Sequence, residues 1–236
     1  MPPIWVHDLA LACLAVGIAC AIVIAVDLVR HPQRMWIMNI VWPVNGLFGS
    51  VLTLWLYYRF GRLAADRSKR SNTKEKTPFP VMVAKGAMHC GAGCTLGDIV
   101  AEGLALAFPV IAFWAGWKTL FSEKMFAIWV IDYLFAFVLG VAFQYFTIKP
   151  MRELSPAEGI VQAVKADTLS LTAWQVGMYG FMAIAQFAIF RNAFGVRLEP
   201  SMPEFWFMMQ IAMIAGFFTS YPVNWWLIKA GVKERM

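Results

Sequence analysis

From Trp36 to Tyr58 the chain carries no charged side chain. Coiled at 1.5 Å per residue, such a stretch reaches about 34 Å, enough to cross the ~30 Å hydrocarbon core of a bilayer. Five other runs meet the same length, so six membrane helices are expected, at about 6–28, 36–60, 88–114, 125–148, 168–190 and 205–229. Sixty per cent of the residues are apolar, 14% are charged and the mean hydropathy is +0.62. A soluble domain of this size could not cover that much apolar surface with so few charges. The expected fold is therefore all-α: one polytopic helix bundle, residues 1–236, with lipid as its solvent. The N-terminus, Met1-Pro2-Pro3-Ile4-Trp5-Val6-His7-Asp8, has no Lys or Arg, so the first run is expected to stay as a helix rather than act as a cleaved signal.

The formal charge of +6 does not point to nucleic acid, because the basic residues sit between apolar runs instead of on one hydrated face. They fit the rule that short cytoplasmic loops are rich in Lys and Arg. The segment 61–86 is the one extended polar stretch, with Arg62, Arg67, Lys69, Arg70, Lys74, Lys76 and Lys85 opposed by Asp66 and Glu75. With six crossings and this loop inside, both termini are expected in the cytoplasm of a bacterial inner membrane, with fourteen basic residues inside and six outside. Arg30 and Arg34 are the untidy pair, since this count leaves them outside. Losing the first span from the count would move the N-terminus outside.

Trp42-Pro43-Val44-Asn45 and Tyr221-Pro222-Val223-Asn224 suggest tandem hairpins. Pro43 is expected near the outer end of its span and Pro222 nearer the inner end, which favours two separate helix kinks. Each proline frees the carbonyl four residues earlier, and a nearby Asn amide can help satisfy such a group.

The third run carries the chemistry: Met88-His89-Cys90-Gly91-Ala92-Gly93-Cys94-Thr95-Leu96-Gly97-Asp98-Ile99-Val100-Ala101-Glu102. Cys90, Cys94, Asp98 and Glu102 recur every four residues, which places them on one helical stripe. Charged groups at membrane depth cost at least ~2.5 kcal/mol on insertion scales, so Asp98 and Glu102 need a partner, a proton or a cation. Asp132 in the fourth run is a candidate partner. On a regular helix His89 points about 100° away from Cys90. Should Gly91 and Gly93 allow the backbone to bend, His89, Cys90 and Cys94 could converge, with Met88 as a soft fourth ligand. Thiolate and imidazole suit Cu(I) or zinc. The competing reading is that the cysteines are small buried residues and the glycines serve close helix packing.

Elsewhere, Cys13 and Cys20 are expected to pack as small apolar residues, and His7 and His31 to sit solvated near the interfaces. Gln144, Gln175, Gln186 and Gln210 are expected to bond between helices. The fourteen Met are read as core packing and the eleven Trp as interface markers.

At these residues the sequence resembles a family of bacterial integral membrane proteins filed as a domain of unknown function (DUF4396-like). The resemblance rests on His89-Cys90, Gly93-Cys94 and Gly97-Asp98; on Ala166-Asp167-Thr168 followed by Ser170; and on Pro222-Val223-Asn224, Trp226-Leu227-Ile228 and Gly231. It covers about residues 85–232. Members of that family often carry Glu in place of Asp98, and Met-Glu and Asp-Asn pairs where this chain has Trp174-Gln175 and Met178-Tyr179. The resemblance implies a membrane helix fold and no established activity.

The leading expectation is a protein that binds, and in one version transports, a soft metal ion, copper first. His89, Cys90, Cys94 and Met88 would be the ligands, and Asp98, Glu102 and Asp132 an ion or proton path. The alternative is a non-catalytic subunit of a larger membrane complex, or a homo-oligomer. A membrane thiol oxidoreductase using Cys90 and Cys94 ranks third, because no quinone or haem motif accompanies the pair.

Overall fold

The computed structural model describes residues 2–62, 77–149 and 154–234. Arg67, Lys69, Arg70, Lys74 and Lys76 of the basic segment, with Arg152 and Arg235, lie outside the described residues. The described chain forms a helix bundle: α1 (Ile4–Arg30), α2 (Met38–Leu56, continued by a π-helical turn Tyr57–Gly61), α3 (Phe79–Ala107), a short α4 (Val110–Trp114), α5 (Lys124–Ile148), α6 (Pro156–Ala183, continued by a π-helical stretch Ile184–Arg191) and α7 (Pro203–Lys229). Six of these are long and apolar enough to cross a membrane. Pro80, Pro156 and Pro203 stand in the first turns of α3, α6 and α7, where a missing N–H costs nothing. Ser155 and Glu158 close a reciprocal capping box on α6.

The second apolar run departs from a straight helix. Ser50 has φ 43° and ψ −123°, and the chain reverses there. Fifteen residues apart on one helix, Trp42 and Tyr57 would be separated by about 22 Å, yet their ring centroids lie 5.5 Å apart. Thr53 Oγ1 donates to Asn45 O at 3.2 Å. α2 is thus a helical hairpin with arms 38–49 and 51–61. Gln33 ties both of its ends: its backbone N–H donates to Asn39 Oδ1 at 2.9 Å, and its Nε2 to Gly61 O at 3.2 Å. Asp27, at the end of α1, pairs with Arg62 at 3.3 Å and accepts from Tyr57 OH at 2.7 Å.

That hairpin changes where the ends lie. α1 and α7 run parallel: His7 meets Glu204 at 2.9 Å near the start of both, and Gln210 Nε2 donates to Cys13 O at 3.4 Å further along both. Ile4 and Lys229 therefore stand at opposite ends of the bundle, where the sequence had led us to expect both termini on one side. The difference arises because α2 leaves from the end at which it enters. The same fold-back brings the two Pro-x-Asn motifs to one level. Asn45 Nδ2 donates to Met88 O at 3.0 Å, and a Cβ on Gly86 would meet Asn224 Oδ1 at 3.7 Å. Neither amide reaches the carbonyl that its proline frees. Asn45 bonds Val41 O at 2.7 Å and Asn224 bonds Ser220 O at 2.9 Å, each its own fourth residue back.

α3 is the axis of the bundle. Every residue from Lys85 to Thr95 is buried, so its whole circumference is covered there, by α2, α5, α6 and α7. Its glycines set the spacing. A Cβ on Gly93 would lie 3.0 Å from Gly140 Cα, one on Gly97 2.6 Å from Ala136 N, and one on Gly91 2.5 Å from the Trp174 ring. Small residues on both helices let the backbones approach, which registers Gly93 with Gly140 and Gly97 with Ala136.

Candidate functional site

That register decides what the α3 stripe faces. Cys90, Cys94, Asp98 and Glu102 are all buried, and they look toward α5 and α6. At the end of the stripe nearer α7's C-terminus, the Cys90 thiol donates to Asp167 Oδ1 at 2.9 Å and lies 2.9 Å from Ser170 Oγ. Asp167 and Ser170 are three residues apart on α6 and so share a face. Asn224 of α7 donates from Nδ2 to Ser170 Oγ at 2.7 Å.

The last member comes from beyond the helices. Gly231 takes φ 74°, a left-handed conformation that glycine adopts without penalty. Val232 N and Lys233 N then both donate to Leu227 O, at 3.0 and 3.2 Å. The turn folds Lys233 back into the bundle, where it is 2% exposed. Its Nζ donates to Asn224 Oδ1 at 2.7 Å, Ser170 Oγ at 3.3 Å and Cys90 Sγ at 3.4 Å. The thiol thus lies between a buried ammonium and a buried carboxylate.

Further along the stripe, Cys94, Asp98 and Glu102 are buried on α3, and Asp132 is buried on α5. Several of these groups have no hydrogen-bond partner among the described residues: both oxygens of Asp98, Oδ1 of Asp132, Oδ2 of Asp167, and the whole amides of Gln144 and Gln175. On α5, Asp132, Ala136, Gly140 and Gln144 fall on one face by fours. Tyr179 stacks on Trp129, centroids 4.4 Å apart, and its OH donates to Trp129 O at 3.0 Å.

The expected metal ligands are not brought together. α3 is continuous from Phe79 to Ala107, so the bend at Gly91 and Gly93 that would have joined them is absent, and those glycines serve packing instead. His89 Nδ1 is bonded to Lys85 O at 3.0 Å, and its Nε2 is buried without a partner among the described residues. Met88 packs with Ile24, Trp42 and Tyr57, whereas Cys90 and Cys94 pack with Leu171, Trp174 and Met178. Among the described residues no three His, Cys, Asp or Glu side chains are placed to hold a metal ion.

Of the glutamines, Gln210 makes the interhelical bond expected of it, to Leu47 O at 2.6 Å, and Gln186 accepts from Leu198 N at 2.9 Å. Gln144 and Gln175 do not. His7 and His31, expected in solvent, are half-exposed but paired, with Glu204 and Asp27 respectively. Sequence reasoning named Asp167 and Ser170 only as points of resemblance, Asn224 also as a partner for the Pro222 kink, and counted Lys233 only among the basic residues. The signal that could have found them was present: an Asp and a Ser one helical turn apart, and a glycine two residues before a lysine at a helix end.

No curated protein and no solved structure matches the chain. The family model described as Domain of unknown function (DUF4396) matches residues 81–233, which takes in nearly all of α3, the whole of α4 to α7 and the cluster as far as Lys233. α1 and the α2 hairpin fall outside it. With more than half its length matched, and every residue of the cluster inside the match, the chain belongs to the DUF4396 family.

Proposed function

We propose that this protein moves a monovalent cation, in the simplest case a proton, across the bacterial cytoplasmic membrane along the α3 stripe. The path runs from Lys233, Asp167 and Cys90 through Cys94 to Asp98, Asp132 and Glu102. What supports this reading is the set of buried carboxylate and amide atoms of Asp98, Asp132, Asp167, Gln144 and Gln175 that no group among the described residues satisfies. Leaving such groups bare at membrane depth costs several kcal/mol each. They persist where water, a proton or a cation serves them in turn, as a pathway requires. A packed structural core would have satisfied them or replaced them with apolar residues.

The α2 hairpin fits the same reading. Irregular backbone is tolerated at membrane depth only where protein or a watery cavity surrounds it, and the tip near Ser50 reaches the level at which Gly17 and Gln210 meet Leu47. If α2 is re-entrant, five helices cross. Arg30 and Arg34 then join the basic side, which holds sixteen of the twenty Lys and Arg; Lys118, Lys124, Arg191 and Arg197 stand on the other. By the positive-inside rule the C-terminus is cytoplasmic and the N-terminus is outside.

The test is proton flux in proteoliposomes loaded with a pH-sensitive dye. Wild-type protein should dissipate an imposed pH gradient, and Asp98→Asn and Glu102→Gln, which keep shape but remove charge, should not. Equal rates for wild type, variants and empty liposomes would leave the subunit reading in its place.

A further inference from the structure

We infer that the pocket formed by Cys90, Asp167, Ser170 and Asn224 is a binding site for a small ammonium-type cation, and that Lys233 is a tethered occupant that closes this end of the path. The inference rests on the cation-path reading for its role, but on the cluster alone for its binding.

A primary ammonium has three N–H donors and no acceptor. Nζ of Lys233 meets three acceptors, one from each of three helices: Cys90 Sγ of α3 at 3.4 Å, Ser170 Oγ of α6 at 3.3 Å and Asn224 Oδ1 of α7 at 2.7 Å. The counter-charge is Asp167, whose Oδ1 receives the Cys90 thiol while Oδ2 is buried with no partner among the described residues. One carboxylate among neutral acceptors matches a single positive charge. It does not match a divalent ion, which takes six or more oxygens or several thiolates.

The lysine is not part of the pocket wall. It belongs to the segment after α7 and enters through one turn at Gly231, φ 74°, held by two backbone bonds to Leu227 O. The four residues of the pocket stand on long helices that pack tightly. Withdrawing the tail removes the ammonium and leaves the acceptors and the Asp167 charge in place, ready for a free cation of similar chemistry. Exchange between the tethered and the free cation would open and close the path from the C-terminal side.

Thermal unfolding of the detergent-purified full chain tests this, with ammonium chloride and methylammonium chloride as probes. Choline chloride at equal concentration is the control, since its quaternary nitrogen has no N–H to donate. In Lys233→Met, ammonium or methylammonium should raise Tm by at least ~2 °C over choline, because a ligand that binds only the folded state stabilises it. Wild type, with the pocket filled by its own lysine, should show no such difference. Adding Asp167→Asn to Lys233→Met should abolish the response. If Lys233→Met does not fold alone, methylammonium present during purification should rescue it. A folded Lys233→Met that responds equally to choline and ammonium, or an unfolded one that methylammonium does not rescue, overturns the inference. Proton flux is read separately: its absence from wild-type liposomes removes the path and leaves the ammonium response standing on its own.

Discussion

Gln33 donates its side-chain amide to the carbonyl of Gly61 at 3.2 Å while its backbone amide donates to Asn39 at 2.9 Å. A single residue thereby holds the entrance and the exit of α2 together, and the direction of every later helix follows from that closure. Labelling of single cysteines introduced at Pro2, at Arg34 and near the C-terminus, read with a membrane-impermeant reagent on intact cells, tests it. Pro2 should label from outside, and Arg34 and the C-terminus should not. Protection of Pro2 together with the C-terminus would restore six crossings.

Ser50 carries the reversal in a conformation that side chains rarely adopt, φ 43°, and such a residue costs about 1–3 kcal/mol. Ser50→Gly should raise unfolding stability in detergent by about 1 kcal/mol. Ser50→Val should lower it by at least that, because a β-branched side chain tolerates positive φ least. A neutral Ser50→Val would mean that the hairpin is absent in the native protein.

Helix class, membrane solvent and the burial of the Cys90–Glu102 stripe were all legible in the sequence, because four-residue spacing and long apolar runs report directly on which faces meet lipid and which meet protein. The hairpin was not. Hydropathy records that residues 36–60 prefer hydrocarbon, and it carries no information on whether they cross it or return. That outcome hangs on the φ and ψ of one serine after Gly49. The convergence of Asp167, Ser170, Asn224 and Lys233 on Cys90 was hidden for a related reason. They lie on two helices and a tail, and close contacts such as Gly91–Trp174 and Gly216–Trp174 set the register that joins them. Gly91 and Gly93, which could have bent the helix toward a converging ligand set, are used to bring neighbours close.

The closeness of α3 and α5 is itself testable. A Cβ on Gly97 would meet the Ala136 backbone at 2.6 Å, and backbone cannot give way as a side-chain tip can. Gly97→Leu should destabilise the detergent-solubilised protein by about 1–3 kcal/mol or more. Gly103→Ala, on the same helix with nothing within 4 Å of an added Cβ, should be neutral or stabilising. Similar effects from both would mean that the register of α3 on α5 is different.

Because Met88 packs apart from the two thiols and His89 Nδ1 is bonded to Lys85 O, chelator-washed protein should take up no stoichiometric Cu(I) or Zn(II) against a competing chelator. Elemental analysis after dialysis checks this. One tightly held ion per chain, lost in both Cys90→Ser and Cys94→Ser, would show that the helix bends around a metal after all.

Asp98 stands mid-stripe with both carboxylate oxygens buried and unpartnered among the described residues, so the cation path stands or falls on it. The direct measurement is dye-reported proton flux in proteoliposomes of matched protein content, comparing wild type with Asp98→Asn and with Asp98→Glu, which keeps the charge. Wild type and Asp98→Glu should collapse an imposed pH gradient, while Asp98→Asn should match empty liposomes. Flux that is unchanged in a folded Asp98→Asn protein would contradict the path.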